Sequence, residues 1–237
     1  MKVEVWSDIM CPFCYIGKRN YEKAVEQFQG RNDIELVWKS YQLDPTLPTE
    51  GAKDLDVYEY LAQRKGISRP QVEAMHGQVT EMARNAGLEY HLDKSVMANS
   101  FKAHRVVALA KEKGLGDLAE ERLFNATFTA GKDFGDTEVL KTVGAEIGLS
   151  AAEVEEALTN DEYAYQVNSD INEAREIGVT GVPFFVFDRK YAISGAQPPQ
   201  SFLQTLEKSH EEWQKTNGNI QLSISDGPSC SPEDGCS

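Results

Sequence analysis

Two cysteines separated by two residues, Cys11-Pro12-Phe13-Cys14, stand where a strand pattern gives way to a helix pattern, and that junction limits the folds open to the chain. Lys2 to Trp6 alternates apolar and polar residues as a strand does, whereas Tyr15 to Phe28 sets Tyr21, Val25 and Phe28 at helical spacing. Cys11 is therefore expected at a helix N-terminus, with Pro12 as the first helical residue, where its missing N–H costs nothing. The unpaired N–H groups and positive dipole end of a helix favour an anion, and the thiolate is the reactive form of cysteine. Cys11 is expected to be the acidic, exposed nucleophile. Cys14, one turn below on the same side, is expected to displace a partner held on Cys11 as a mixed disulfide. Pro-Phe between them adds no cation, which points to an intermediate redox potential.

Three other uses of the pair fit less well. A zinc site needs four ligands, but the only other cysteines are Cys230 and Cys236 near the far end, and His76, His91 and His210 share no ligand spacing, so no metal is expected. A structural disulfide in so small a ring would stiffen a single helical turn. Two unrelated core cysteines would not need this aromatic and proline context.

A net charge of −14, with Lys and Arg scattered, argues against a nucleic-acid or anionic-membrane partner. The sequence enters a strand at once and holds no apolar run of membrane-spanning length, so a cytoplasmic location is expected. In that setting cysteines are better read as redox-active than as a structural framework.

Gly30-Arg31-Asn32-Asp33 stops the first helix, and Ile34 to Trp38 reads as a second strand, giving a strand–helix–strand opening suited to parallel pairing. Asp44-Pro45-Thr46-Leu47-Pro48 then marks a boundary. From Asp54 to Gly178 the pattern is helical throughout, punctuated by caps such as Ser68 with Gln71, Asp136, and Ser150 with Glu153. The apolar stripes in it are core faces and need no cofactor to explain them. Gly181 to Phe187 returns to strand character, Asp188-Arg189 turns, Tyr191 to Ser194 pairs back, and Pro198-Pro199 opens a last helix. This order predicts an α/β chain: a thioredoxin fold with a large all-helical insertion between its βαβ and ββα halves. The expected domains are a discontinuous thioredoxin-like unit (1–50 and 179–215), a helical insertion (51–178) and a tail (216–237). Pro183 directly before a buried strand cannot donate to the ladder, and a cis bond after Val182 would account for it.

The residues that carry a family resemblance are Ser7-Asp8 ahead of Cys11-Pro12-Phe13-Cys14-Tyr15-Ile16-Gly17, then Tyr41-Gln42-Leu43-Asp44-Pro45, Asn99 to Arg105 ending in Ala103-His104-Arg105, and Gly178-Val179-Thr180-Gly181-Val182-Pro183. On these, nearly the whole chain resembles the DsbA family of thiol:disulfide oxidoreductases, in the FrnE-like branch. The resemblance implies a cis-proline at Pro183 near the cysteines and protein thiols and disulfides as substrates, with glutathione as a second candidate. Val182 would present its backbone to an extended substrate strand, and Phe13 with the helical insertion would supply an apolar rim. Hydroxychromene-carboxylate isomerases and kappa-class glutathione transferases are similar in architecture but carry serine where this chain has Cys11, which makes a glutathione-dependent isomerase or transferase the first alternative. A holdase-like module that captures unfolded segments is the second. Asp8, Glu35 and Lys39 are candidates for moving the proton of Cys14, and His104 is read as a structural hydrogen-bonder. The FrnE-like branch is similar in carrying an additional C-terminal cysteine pair. The turn-rich stretch between Cys230 and Cys236 could bring these two into a second redox pair.

Overall fold

The computed structural model describes residues 1–49, 52–217, 230–231 and 235–236. Strand β1 (Lys2–Ser7) leads through a tight turn into α1 (Pro12–Gln27) and on to β2 (Glu35–Ser40). Hairpin β3 (Phe184–Phe187) and β4 (Tyr191–Ser194) follows much later, before α9 (Pro199–Asn217). The sheet order is β2-β1-β3-β4. β1 runs parallel to β2, with Val5 opposite Trp38, and antiparallel to β3, with Val5 opposite Phe185. This is the mixed sheet of a thioredoxin fold.

β1 departs from its half-buried expectation, since every residue after Lys2 is buried. It is flanked by a strand on each side and packed on both faces, and Glu4, 3% exposed, is tolerated because Arg189 ion-pairs with it. Arg189 and Asp188 form the β3–β4 turn with φ of 56° and 49°, the left-handed pair that a tight hairpin demands.

Between β2 and β3 run α2 (Val57–Lys65), α3 (Arg69–Ala86), α4 (Phe101–Glu112), α5 (Gly116–Phe124), α6 (Thr137–Glu146), α7 (Ala151–Thr159) and α8 (Asp161–Glu176). Their ends follow the caps in the sequence: Asp56 accepts from Tyr58 N and Glu59 N, and Ser150 pairs reciprocally with Glu153. The block packs directly on the sheet and on α1, and one continuous core joins Val5 and Phe185 to Phe124 and Leu140. Two parts of the expected helical run differ. Residues 87–100 are irregular apart from a short 3-10 turn at Leu92–Lys94, and Gly87 (φ 92°) ends α3 in a left-handed cap. After Phe124, α5 widens into a π-helical turn over Asn125–Thr129, where Thr127 Oγ1 donates back to Leu123 O at 2.7 Å.

Two further short strands, β5 (Cys230–Ser231) and β6 (Gly235–Cys236), pair antiparallel with Cys230 directly opposite Cys236. The side chains of both cysteines lie outside the described residues, and so does most of the expected tail.

Candidate active site

The turn from β1 into α1 sets the site. Cys11 N donates to Asp8 O at 2.9 Å, which closes a tight loop and leaves Cys11 extended (φ −96°, ψ 109°) as the N-cap of α1, with Pro12 first in the helix. The apolar and ionic faces of α1 fix its direction. Tyr21 stacks on Phe185, Tyr15 Oη donates to Glu121 Oε1 at 2.6 Å, and buried Lys18 ion-pairs with Asp117 and Glu121, each at 3.2 Å. Burial opposes the charge of Lys18, but the surrounding carboxylates outweigh it and hold the ammonium protonated.

Cys14 lies one turn into α1 and is fully buried, its N–H donating to Cys11 O at 3.0 Å. Burial pushes its thiol well above the ordinary value, and hydrogen bonding with Cys11 and the charge on Cys11 push the same way. The Ser7 hydroxyl and the Asp8 backbone face the sulfur and oppose the shift. Cys11 contradicts the expectation of an exposed nucleophile: it is 4% exposed. Its Sγ donates to Val182 O at 3.4 Å, and the other side of the residue lines a cavity of about 450 Å³.

The Val182–Pro183 bond is cis, as Pro183 before a strand suggests. Phe13 and Val182 line the cavity with Cys11; Pro183 does not, being buried beneath α1 instead. Gly17 permits that approach. A Cβ there would fall 2.9 Å from Pro183 Cγ and 3.5 Å from Phe185 Cε2. Gly17→Ala is therefore expected to push the cis-proline loop away from Cys11, costing about 1–3 kcal/mol of stability and slowing disulfide exchange. Urea denaturation beside the exchange rate checks this, and a variant with wild-type midpoint and rate would contradict it.

Of the three candidates for handling the Cys14 proton, only Asp8 is near. Lys39 is held by Asp170 at 2.9 Å and Glu173 at 3.1 Å, and Glu35 pairs with Lys2 at the opposite end of β1. Asp8 is fully buried, and its carboxylate accepts from Leu43 N at 2.7 Å and Met10 N at 3.2 Å. His104, also fully buried, places Nε2 2.8 Å from Tyr41 O and 3.5 Å from Asp8 Oδ1. Burial works against its charge; the hydrogen bond and charge of Asp8, the charge of Glu120 and the Tyr41 carbonyl reverse this and raise it. Glu120, 1% exposed, is pushed up to about 7, chiefly by burial. Nothing in the sequence marks Glu120 or Tyr90, whose Oη donates to Pro12 O at 2.7 Å. Among the described residues no His, Cys, Asp and Glu cluster has the arrangement of a metal site, and no helix is long and apolar enough to cross a membrane.

The chain is 27% identical over 213 residues to the uncharacterized protein YwbO of Bacillus subtilis (strain 168), covering 89% of this chain and 98% of the relative. Its fold is similar to the crystal structure of the probable DsbA oxidoreductase SCO1869 from Streptomyces coelicolor, with a TM-score of 0.83 and 35% identity over 100% of this chain and 98% of that one. It is also similar to the cytosolic disulfide reductase DsbM from Pseudomonas aeruginosa, with a TM-score of 0.65 and 17% identity over 90% of this chain and 100% of that one. Residues 2–207 match the family described as DSBA-like thioredoxin domain, a span that takes in Cys11 and Cys14, the cis-proline loop and all of the helical block, and the chain belongs to that family.

Proposed function

We propose that the protein is a thiol:disulfide oxidoreductase in which Cys11 is the attacking and Cys14 the resolving thiol, acting as a reductase or isomerase of protein disulfides. One observation carries this: a cysteine at a helix N-terminus, beside the carbonyl before a cis-proline, with a second and fully buried cysteine hydrogen-bonded to it. Cys11, at the helix end, attacks a disulfide sulfur as its thiolate and expels the first substrate thiolate. Cys14 then loses its proton, attacks Cys11 and releases the second thiol. Burial keeps Cys14 protonated until that step, so the first attack belongs to Cys11. The sequence motifs support the FrnE-like branch within the family. A cytoplasmic location agrees with the cytosolic DsbM, and a reducing pool there would hold the pair as dithiol at rest. The protein is expected to accelerate insulin reduction by dithiothreitol and to regain activity from scrambled ribonuclease. Rates no higher than dithiothreitol alone in both assays would overturn the reading.

The size of the cavity beside Cys11, though not its apolar lining, supports a second reading, a glutathione-dependent isomerase or transferase acting on small molecules. DsbM has been solved with GSH. Turnover of a small-molecule substrate with glutathione, with no activity on insulin, would favour it.

A further inference from the structure

Cys11 has Cys14 hydrogen-bonded to it and Val182 O on one side, and it lines a cavity of about 450 Å³ bordered by α2, α3, residues 92–97 and the π-helical turn. The walls are mostly apolar, with Phe13, Met75, Val79, Met97 and Phe134 prominent. The charged side chains of the lining, Arg64 and Lys65, are both basic, His76 beside them is pushed toward its neutral form by burial, and among the described lining residues there is no Asp or Glu, in a chain with 38 acidic against 24 basic residues. The guanidinium of Arg64 is anchored by Asp44 and donates to Leu43 O at 2.6 Å, whereas Lys65 has no ion-pair partner among the described residues. Two lining residues also carry buried polar atoms without a partner, His76 Nδ1 and Ser95 Oγ, an arrangement that costs stability unless something completes it. A mainly apolar cavity with a few convergent polar groups is the form of a small-molecule site.

We propose that this cavity binds a low-molecular-weight thiol with an apolar or aromatic body and a carboxylate, and that this thiol reduces the Cys11–Cys14 disulfide. The proposal rests on the redox reading above and names a partner for it. The carboxylate is oriented by Lys65 and Arg64, Ser95 and a rotated His76 ring complete its hydrogen bonds, and the apolar body fills the space against Met75 and Phe134. The bound thiolate attacks the Cys11 sulfur, the only sulfur of the pair that lines the cavity. The Cys11–Cys14 bond breaks as the bond to the ligand forms, and the electron pair leaves on Cys14, which takes up a proton. A second thiolate attacks the ligand sulfur, releasing a small disulfide and Cys11 as thiolate. Two thiols are thereby oxidised to one disulfide and the enzyme pair is reduced by two electrons, which it passes to a protein disulfide. A highly polar thiol such as glutathione, with two carboxylates and an ammonium, matches this lining poorly.

The test uses the oxidised full chain and follows reduction of the Cys11–Cys14 disulfide by alkylation and mass spectrometry. The reductants are 4-(mercaptomethyl)benzoate, uncharged benzyl mercaptan, glutathione and dithiothreitol. The benzoate thiol is expected to show saturation and an efficiency about tenfold above that of benzyl mercaptan, the effect of a charge-assisted contact, and to exceed glutathione. Its advantage over benzyl mercaptan is expected to fall to near unity in Lys65→Glu, an exposed position whose substitution spares the fold. Equal efficiencies for the charged and uncharged thiols, or a better rate with glutathione, would overturn the proposal. If dithiothreitol itself finds no reducible Cys11–Cys14 disulfide, the redox reading fails instead.

Discussion

Cys11→Ser is expected to abolish insulin reduction, lowering the rate about a thousandfold or more, whereas Cys14→Ser leaves the first attack intact and stalls the protein as a mixed disulfide. A serine hydroxyl has no accessible anion at neutral pH and does not attack sulfur, so the helix N-terminus then has nothing to activate. Cys14 cannot substitute, because it is fully buried and that burial holds its thiol protonated. The two variants therefore fail differently. Cys11→Ser should give no covalent substrate adduct, and Cys14→Ser should give adducts that a reductant removes. Cys11→Ser retaining a tenth of the wild-type rate would refute the assignment of the nucleophile.

Glu120→Gln is expected to flatten the dependence of stability on pH. Glu120 titrates near 7 in the folded protein, because burial disfavours its charge and Asp117 and Asp8 add to this, while His104 and Lys111 offset only part. An ordinary glutamate titrates near 4.3. Between these values the folded chain holds a proton that the unfolded chain has released, so stability falls as pH rises through the window. His104 contributes with the same sign: its raised folded value gives stability that is complete below about 6.5, the ordinary histidine value, and lost as pH rises through the folded one. The wild type is thus expected to be more stable at pH 5.5 than at pH 8 by about 2 kcal/mol. In Glu120→Gln the charge that burial penalises is gone, and so is one of the charges that raise His104, although Asp8 remains, so most of that difference should vanish. Urea midpoints at pH 5.5, 6.5, 7.5 and 8.0 decide this. A wild-type profile that is flat or rises with pH, or a variant as steep as the wild type, would contradict it.

Much of the thioredoxin arrangement was legible because its signals are local. The alternation of Lys2 to Trp6, the helical spacing after Cys14, the Asp188-Arg189 turn and the proline before Phe184 each act within a few residues. Cys11 could be placed at a helix N-terminus for the same reason. What escaped depends on distant parts of the chain. Tyr90, Leu92 and Met97 continue an apolar spacing that a helix would also produce, but the left-handed Gly87 ends α3 and Tyr90 is held by Pro12 O at the start of α1, so the stretch is irregular. The burial of Cys11 comes from a cavity built by residues 57 to 134, far from the motif in sequence. Glu120 sits in a helix beside Glu121 and looks like part of a solvated face. Glu121 reaches Arg19 and Tyr15, whereas Glu120 turns into the core toward His104 and Asp8. No spacing rule separates two adjacent glutamates; only the opposing helix does.

The central claim is that Cys11 forms, and Cys14 resolves, a covalent disulfide with substrate. The most direct measurement is trapping: the Cys14→Ser chain is incubated with oxidised insulin or cell extract, quenched with an alkylating agent, and its peptides are assigned by mass. The account predicts mixed disulfides on the peptide bearing Cys11, cleared by reductant and absent in the Cys11→Ser, Cys14→Ser double variant. Adducts confined to Cys230 or Cys236, or an alkylated Cys11 free of any partner, would contradict it.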